Sequence, residues 1–228
     1  MTDRPFPRSR LETQDPLDAA RALLGAHLVR SGDDGQPARR GRIVEVEAYG
    51  GPEDSASHAR FGPTARNLTM FGPPGIAYVY LVYGMHHCLN VVVGPPGRAA
   101  AVLVRAIEPT HGIPAMRDAR ATTRRGLRPG VADARLASGP GLVGAAFDVD
   151  RSLTGMDLCD PAGPLHLVAA APCAPAAVVA TARIGVGYAS EPWRSAPWRL
   201  LLADSPSVSG PRLHRAPPPP THPATLEG

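Results

Sequence analysis

Runs of β-branched and apolar residues recur along the 228-residue chain, cut short by glycine and proline, so the pattern predicts short elements rather than long helices. Asp15-Pro16 followed by LDAARALL and Gly25 carries an N-cap, a proline in the first turn and a glycine stop, the marks of a helix. Residues 26–30 and 42–48 read as strands. Residues 76–82, 88–93 and 100–106 form three further β-rich runs separated by turn-forming tetrapeptides, and together they predict an antiparallel meander. Helices are expected at 114–121 and 139–147, and strands at 164–169, 178–185 and 198–203. Residues 31–40 read as an exposed loop. Residues 1–9 are expected to be flexible, and 211–228, rich in proline and poor in large apolar residues, form a disordered tail. Nothing between them marks a second domain. The expectation is an α/β domain of the α+β type over 10–210, with a mainly antiparallel curved sheet, a protruding β-hairpin and surrounding short helices.

Composition then narrows the chemistry. All 24 basic residues pooled as Lys and Arg are arginine, so no side-chain amine is available for a Schiff base or a phosphate-binding lysine. The charge is uneven as well: residues 60–137 hold ten arginines against three acids, a distribution suited to a polyanion. Three cysteines without a CxxC pair argue against a disulfide framework or a structural zinc site and point to a reducing compartment. No signal peptide or membrane span is read from the sequence. In His86-His87-Cys88 adjacent strand side chains point apart, so no metal site is expected there.

Two clusters carry candidate chemistry. Glu45 and Glu47 interrupt a β-branched run and share one strand face. They are either a solvated sheet face or a desolvated pair in which an arginine orients a carboxylate that activates water. Tyr78 and Tyr80 also share a face, while Tyr83 falls at a turn before Gly84 and should protrude. Such tyrosines are either half-buried sheet residues or a means of unstacking a nucleic acid and holding an extruded base.

Seven blocks in order carry a resemblance: Arg42-Ile-Val-Glu-Val-Glu-Ala-Tyr49, Pro52-Glu-Asp54 with His58, Arg66-Asn67 with Met70-Phe71, Tyr78-Val-Tyr-Leu-Val-Tyr-Gly-Met-His86 with Asn90, Arg105-Ala-Ile-Glu-Pro109, Ser138-Gly-Pro140 and Arg183-Ile-Gly-Val-Gly187. Over about residues 10–210 the chain resembles the alkyladenine (3-methyladenine or methylpurine) DNA glycosylases. The resemblance implies roles residue by residue. Glu47 corresponds to the general base that activates water, and Arg105 to the arginine that positions it. Tyr49, His58 and Tyr80 would enclose a flipped base. Asn90 would disfavour guanine, Tyr83 would fill the vacated stack, and Met85 and His86 would contact DNA. The implied partner is double-stranded DNA containing damaged purines, handled by a monomer without a cofactor in the bacterial cytoplasm, at the nucleoid. With no lysine, only the N-terminal amine is left for imine chemistry, and base removal is expected to stop at an abasic site. The competing reading is a non-catalytic damaged-DNA recognition protein with the same fold. One departure stands out: Leu142 occupies a position where the family commonly has lysine, with Ala145 nearby at another usually polar position, and the arginines of 117–135 are candidates to compensate.

Overall fold

The computed structural model describes residues 4–32, 37–123 and 126–210; the expected tail lies outside them. Helix α1 (Pro16–Leu23) starts where Asp15 accepts a hydrogen bond from the Leu17 amide at 2.8 Å and ends before Gly25, whose φ of +88° suits glycine. Then come β1 (His27–Arg30), β2 (Arg39–Tyr49), β3 (Ala77–Val82), β4 (His86–Val93) and β5 (Ala100–His111). They are followed by α2 (Ile113–Ala121), α3 (Pro140–Ala146), β6 (Leu165–Val168), β7 (Val178–Thr181) and β8 (Arg199–Leu202).

The eight strands form one curved sheet, a half-barrel in which every pairing is antiparallel, in the order β3-β4-β5-β2-β1-β6. β8 pairs with β2 over Glu45–Glu47 and with β7 on its far side. The meander β3-β4-β5 is as the turn signals predict.

Strand alternation divides the sheet chemically. Val44, Val46 and Ala48 of β2, Ala77 and Val79 of β3, Leu89, Val91 and Val93 of β4, and Val102 and Val104 of β5 enter the main core with Leu23, Val143 and Phe147. The intervening residues, Glu45, Glu47, Tyr49, Tyr78, Tyr80, Cys88, Asn90, Leu103 and Arg105, fall on the opposite face. One face therefore holds the fold together and the other carries the reactive groups.

Several boundaries differ from the sequence expectation. Residues 4–9 are docked rather than flexible: Pro5 bridges to Val168, Phe6 is buried, and Arg8 pairs with Asp157 at 2.5 Å. The apolar Phe6 supplies the burial that the polar residues around it obscured. Arg39 and Arg40, expected in a loop, already belong to β2, because they pair with Arg30 and Val29 of β1. β5 runs on through Glu108-Pro109 to His111, its irregular register with β2 absorbing the proline. β7 stops at Thr181, so 182–185 leave the sheet and cross to Glu47.

Candidate active site

A cavity of about 370 Å³ opens on the polar face of the sheet, within the range of small-molecule sites. Tyr49 from β2, Tyr78 and Tyr80 from β3, Asn90 from β4, Arg105 from β5 and His58 from the loop after β2 all line it. The fold thus brings together the four expected base-pocket residues and Arg105 from five segments. Tyr83 reaches the same cavity from the tip of the β3-β4 hairpin. Its neighbours Met85 and His86 line a separate adjoining groove, together with Arg120, Leu142 and Ala145.

Glu47 lies immediately behind the cavity wall, fully buried, in contact with three lining residues. Its Oε1 accepts the Ile184 amide at 2.7 Å, and its Oε2 accepts the Tyr49 hydroxyl at 2.8 Å and lies 3.2 Å from the Arg105 guanidinium. These donors fix the carboxylate's orientation. Burial and the adjacent Glu47 charge push the Tyr49 hydroxyl far above its usual range, so it remains a proton donor.

Glu45 is also fully buried, which rules out the solvated-face reading for both acids. It receives Arg105 Nε at 2.9 Å, Arg199 Nε at 2.7 Å, and the Ser209 amide and hydroxyl at 2.6 and 2.8 Å. Burial alone would raise its pKa, but Arg105, the Ser209 amide and Arg199 outweigh it and hold the group below the usual carboxylate range. Arg105 therefore spans two carboxylates, anchored by Glu45 and directed at Glu47. Although burial opposes its charge, the two acids raise its pKa further.

His58 faces the tyrosines. Its ring centroid is 4.5 Å from that of Tyr80 in an edge-to-face arrangement, and its Nδ1 shares a 3.1 Å hydrogen bond with the Tyr78 hydroxyl. Burial, aided by Arg66 and Arg60, lowers its pKa to about 4, so at neutral pH the His58 ring is uncharged. Asn90 donates to the Tyr78 carbonyl at 3.1 Å, which fixes its amide against the cavity.

Tyr83 is 87% exposed, and the turn explains why. Met85 N–H bonds to the Val82 carbonyl at 3.1 Å, and Tyr83 and Gly84 take φ values of +52° and +67°. This left-handed pair holds the tyrosine out at the tip.

Sequence reasoning gave no role to Asp54, Arg183, Arg199 or Ser209. Asp54 and Arg183 lie in two of the quoted blocks, but nothing local reveals that they meet across 129 residues. Of the arginines of 117–135, Arg124 and Arg125 lie outside the described residues and Arg128 is exposed, while the other three bond within the fold. Arg117 pairs with Asp133, Arg120 donates to the Leu136 carbonyl, and Arg135 donates to the Val208 carbonyl.

The antiparallel half-barrel thus presents an aromatic cavity, a buried carboxylate behind its wall and an aromatic turn tip at its mouth. Residues 10–206 match the family model described as methylpurine-DNA glycosylase. The chain is 46% identical over 87% of its length to a Streptomyces avermitilis protein named "Putative 3-methyladenine DNA glycosylase", covering 88% of it. It is equally 46% identical, over 92% of its length, to a Nitrosococcus oceani protein of the same name, covering 94% of that one. Identity to the DNA-3-methyladenine glycosylase of Mus musculus is 46% over 86% of this chain and 59% of the mouse protein. The chain belongs to the methylpurine-DNA glycosylase family, whose members are hydrolases of N-glycosyl bonds.

Proposed function

We propose that this protein is a monofunctional glycosylase that flips alkylated or deaminated purines out of duplex DNA and hydrolyses the N-glycosidic bond, leaving an abasic site. The observation that carries this reading is the Glu47 carboxylate, held by Ile184, Tyr49 and Arg105 directly behind an aromatic cavity.

In the reaction, Glu47 accepts a proton from a water, whose oxygen bonds to C1′ as the bond from C1′ to the purine nitrogen breaks. The bonding pair leaves with the base. A purine alkylated at N3 or N7 is cationic and departs as a neutral molecule, so it needs little acid assistance. Tyrosine faces attract such a cation, and the neutral His58 does not repel it. Tyr83 fills the gap that the extruded base leaves, and the fixed Asn90 amide opposes the 2-amino group of guanine. Because water is the nucleophile and the chain has no lysine, the strand is left uncut.

Release of free base from duplexes carrying 3-methyladenine, 7-methylguanine, 1,N6-ethenoadenine or hypoxanthine tests the proposal. Glu47→Gln should abolish release while damaged-DNA binding persists. Undiminished release by that variant overturns the base assignment, and binding without release by the wild type favours a recognition protein.

A further inference from the structure

Five large apolar residues stand exposed among the described residues: Phe61, Leu68, Tyr83, Ile184 and Tyr188. Tyr83, Ile184 and Tyr188 line the cavity. Phe61, the most exposed after Tyr83 at 83%, joins this group through Arg60. The Arg60 guanidinium carbon lies 4.6 Å from the Phe61 ring centroid and 5.1 Å from that of Tyr188. The assembly is held in place. Arg60 donates to the Ser57 carbonyl at 3.1 Å, and the Tyr188 hydroxyl donates to the Ala56 carbonyl at 2.9 Å. Buried Asn67 ties down the loop that carries Phe61, donating to the His58 and Gly62 carbonyls at 2.9 and 3.0 Å and accepting from the Thr64 amide.

An apolar ring held in water on a braced loop has no packing role in the fold. Arg60 lies against one face of Phe61, which leaves the other open. The segment that carries Phe61 is cationic: from Ser55 to Ile107 the sequence contains four arginines and no carboxylate. A phosphate alone would use Arg60 and give Phe61 nothing to do. An unstacked nucleobase uses both, because its π face lies on an aromatic ring while its backbone stays near the arginines. In a duplex the neighbouring bases are stacked on each other and their faces are covered. In single-stranded DNA they are free.

We propose that Phe61, Arg60 and Tyr188 form a stacking platform for the base next to the flipped nucleotide, and that it equips the enzyme to act on lesions in single-stranded DNA. This rests on the glycosylase reading above and extends it to a second subsite. The test compares excision of 1,N6-ethenoadenine from single-stranded and duplex oligonucleotides by the full chain and its Phe61→Ala and Phe61→Trp variants. Phe61→Ala should lower kcat/KM on the single strand by roughly 5- to 100-fold, leave the duplex value within about twofold, and leave the melting temperature unchanged. Phe61→Trp should retain single-strand activity. With 2-aminopurine beside the lesion, probed on each side, its fluorescence should be quenched by the wild type and not by Phe61→Ala. Equal losses on both substrates, no loss on the single strand, or a wild type that processes only duplex DNA would overturn the platform. A wild type that releases no base from any substrate would overturn the glycosylase reading instead.

Discussion

Arg183 donates to both carboxylate oxygens of Asp54, at 2.6 and 2.9 Å, with neither side chain exposed at all. The same guanidinium bonds to the Ala48 and Trp193 carbonyls and lies 4.7 Å from the Tyr49 ring centroid. Asp54 in turn accepts the Gly50 and Ala56 amides, bracing the loop that leads to His58. The residue after Arg183 is Ile184, whose amide holds Glu47. One buried pair therefore joins both walls of the cavity to the carboxylate behind it.

Arg183→Lys should be severe despite keeping the charge. An ammonium cannot reproduce the fork, so Asp54 loses one of its two charged contacts and the Tyr49 ring loses its planar cover. Breaking a buried pair costs about 3–5 kcal/mol, and urea unfolding should register a loss of that order with base release falling in parallel. Asp54→Asn should cost a similar amount. The double variant Asp54→Asn/Arg183→Met should lose less than the sum, because neither charge is then left unpaired.

The difference between these residues and the ones legible beforehand is physical. Tyr78, Tyr80 and Tyr83 could be placed because period-2 alternation and a turn glycine act within a few residues. The meander could be read for the same reason, and the resemblance to a known family named Glu47 and Arg105. Glu45's partners could not be read, since Arg199 and Ser209 arrive from the far end of the chain, and a carboxylate on a strand looks the same solvated or buried. Phe6 misled in the opposite direction: one apolar residue among polar ones suffices to dock a terminus when the sheet offers a pocket.

Acid should weaken the fold in two windows. His58 has its pKa lowered to about 4 by burial and by Arg66 and Arg60, below the 6.5 of the unfolded chain. Its neutral form is thus favoured by the fold, and the stability this represents is intact above pH 6.5. It drains at up to about 1.4 kcal/mol per pH unit as pH falls toward 4, where the folded state also takes up the proton. Glu45, lowered from 4.5 by its arginines and the Ser209 amide against the opposing effect of burial, adds its loss only below pH 4.5. Unfolding free energies measured between pH 7 and 4 should fall in the wild type and flatten in His58→Asn. An unchanged slope would refute the assignment to His58.

Gly144→Ala should reverse the usual sign of a helix substitution. Alanine in a helix normally gains up to about 1 kcal/mol over glycine. Here the added Cβ would lie 2.2 Å from the His87 carbonyl oxygen of β4, a backbone atom that cannot rotate aside. Helix α3 must retreat or β4 must shift, at a cost of about 1–3 kcal/mol. Because β4 carries Asn90 and leads out of the hairpin with Tyr83, thermal unfolding and damaged-DNA affinity should worsen together.

Tyr83 should separate stability from function in the opposite direction. Its φ of +52° is unfavourable for a side chain of that size, at a cost of roughly 1–2 kcal/mol, and 87% exposure returns little packing energy. The turn sequence Tyr-Gly thus stands where Asn-Gly is the pair that suits two left-handed residues. Tyr83→Asn should relieve the strain and raise the unfolding free energy by about 1 kcal/mol, leaving the β3-β4 register intact. The same change removes the ring proposed to fill the vacated stack, so capture of an extruded base should weaken. Urea unfolding and damaged-DNA titration on one preparation would show the two quantities moving apart. If affinity and turnover hold steady while stability rises, Tyr83 is not the wedge, and the strain at the hairpin tip serves something else.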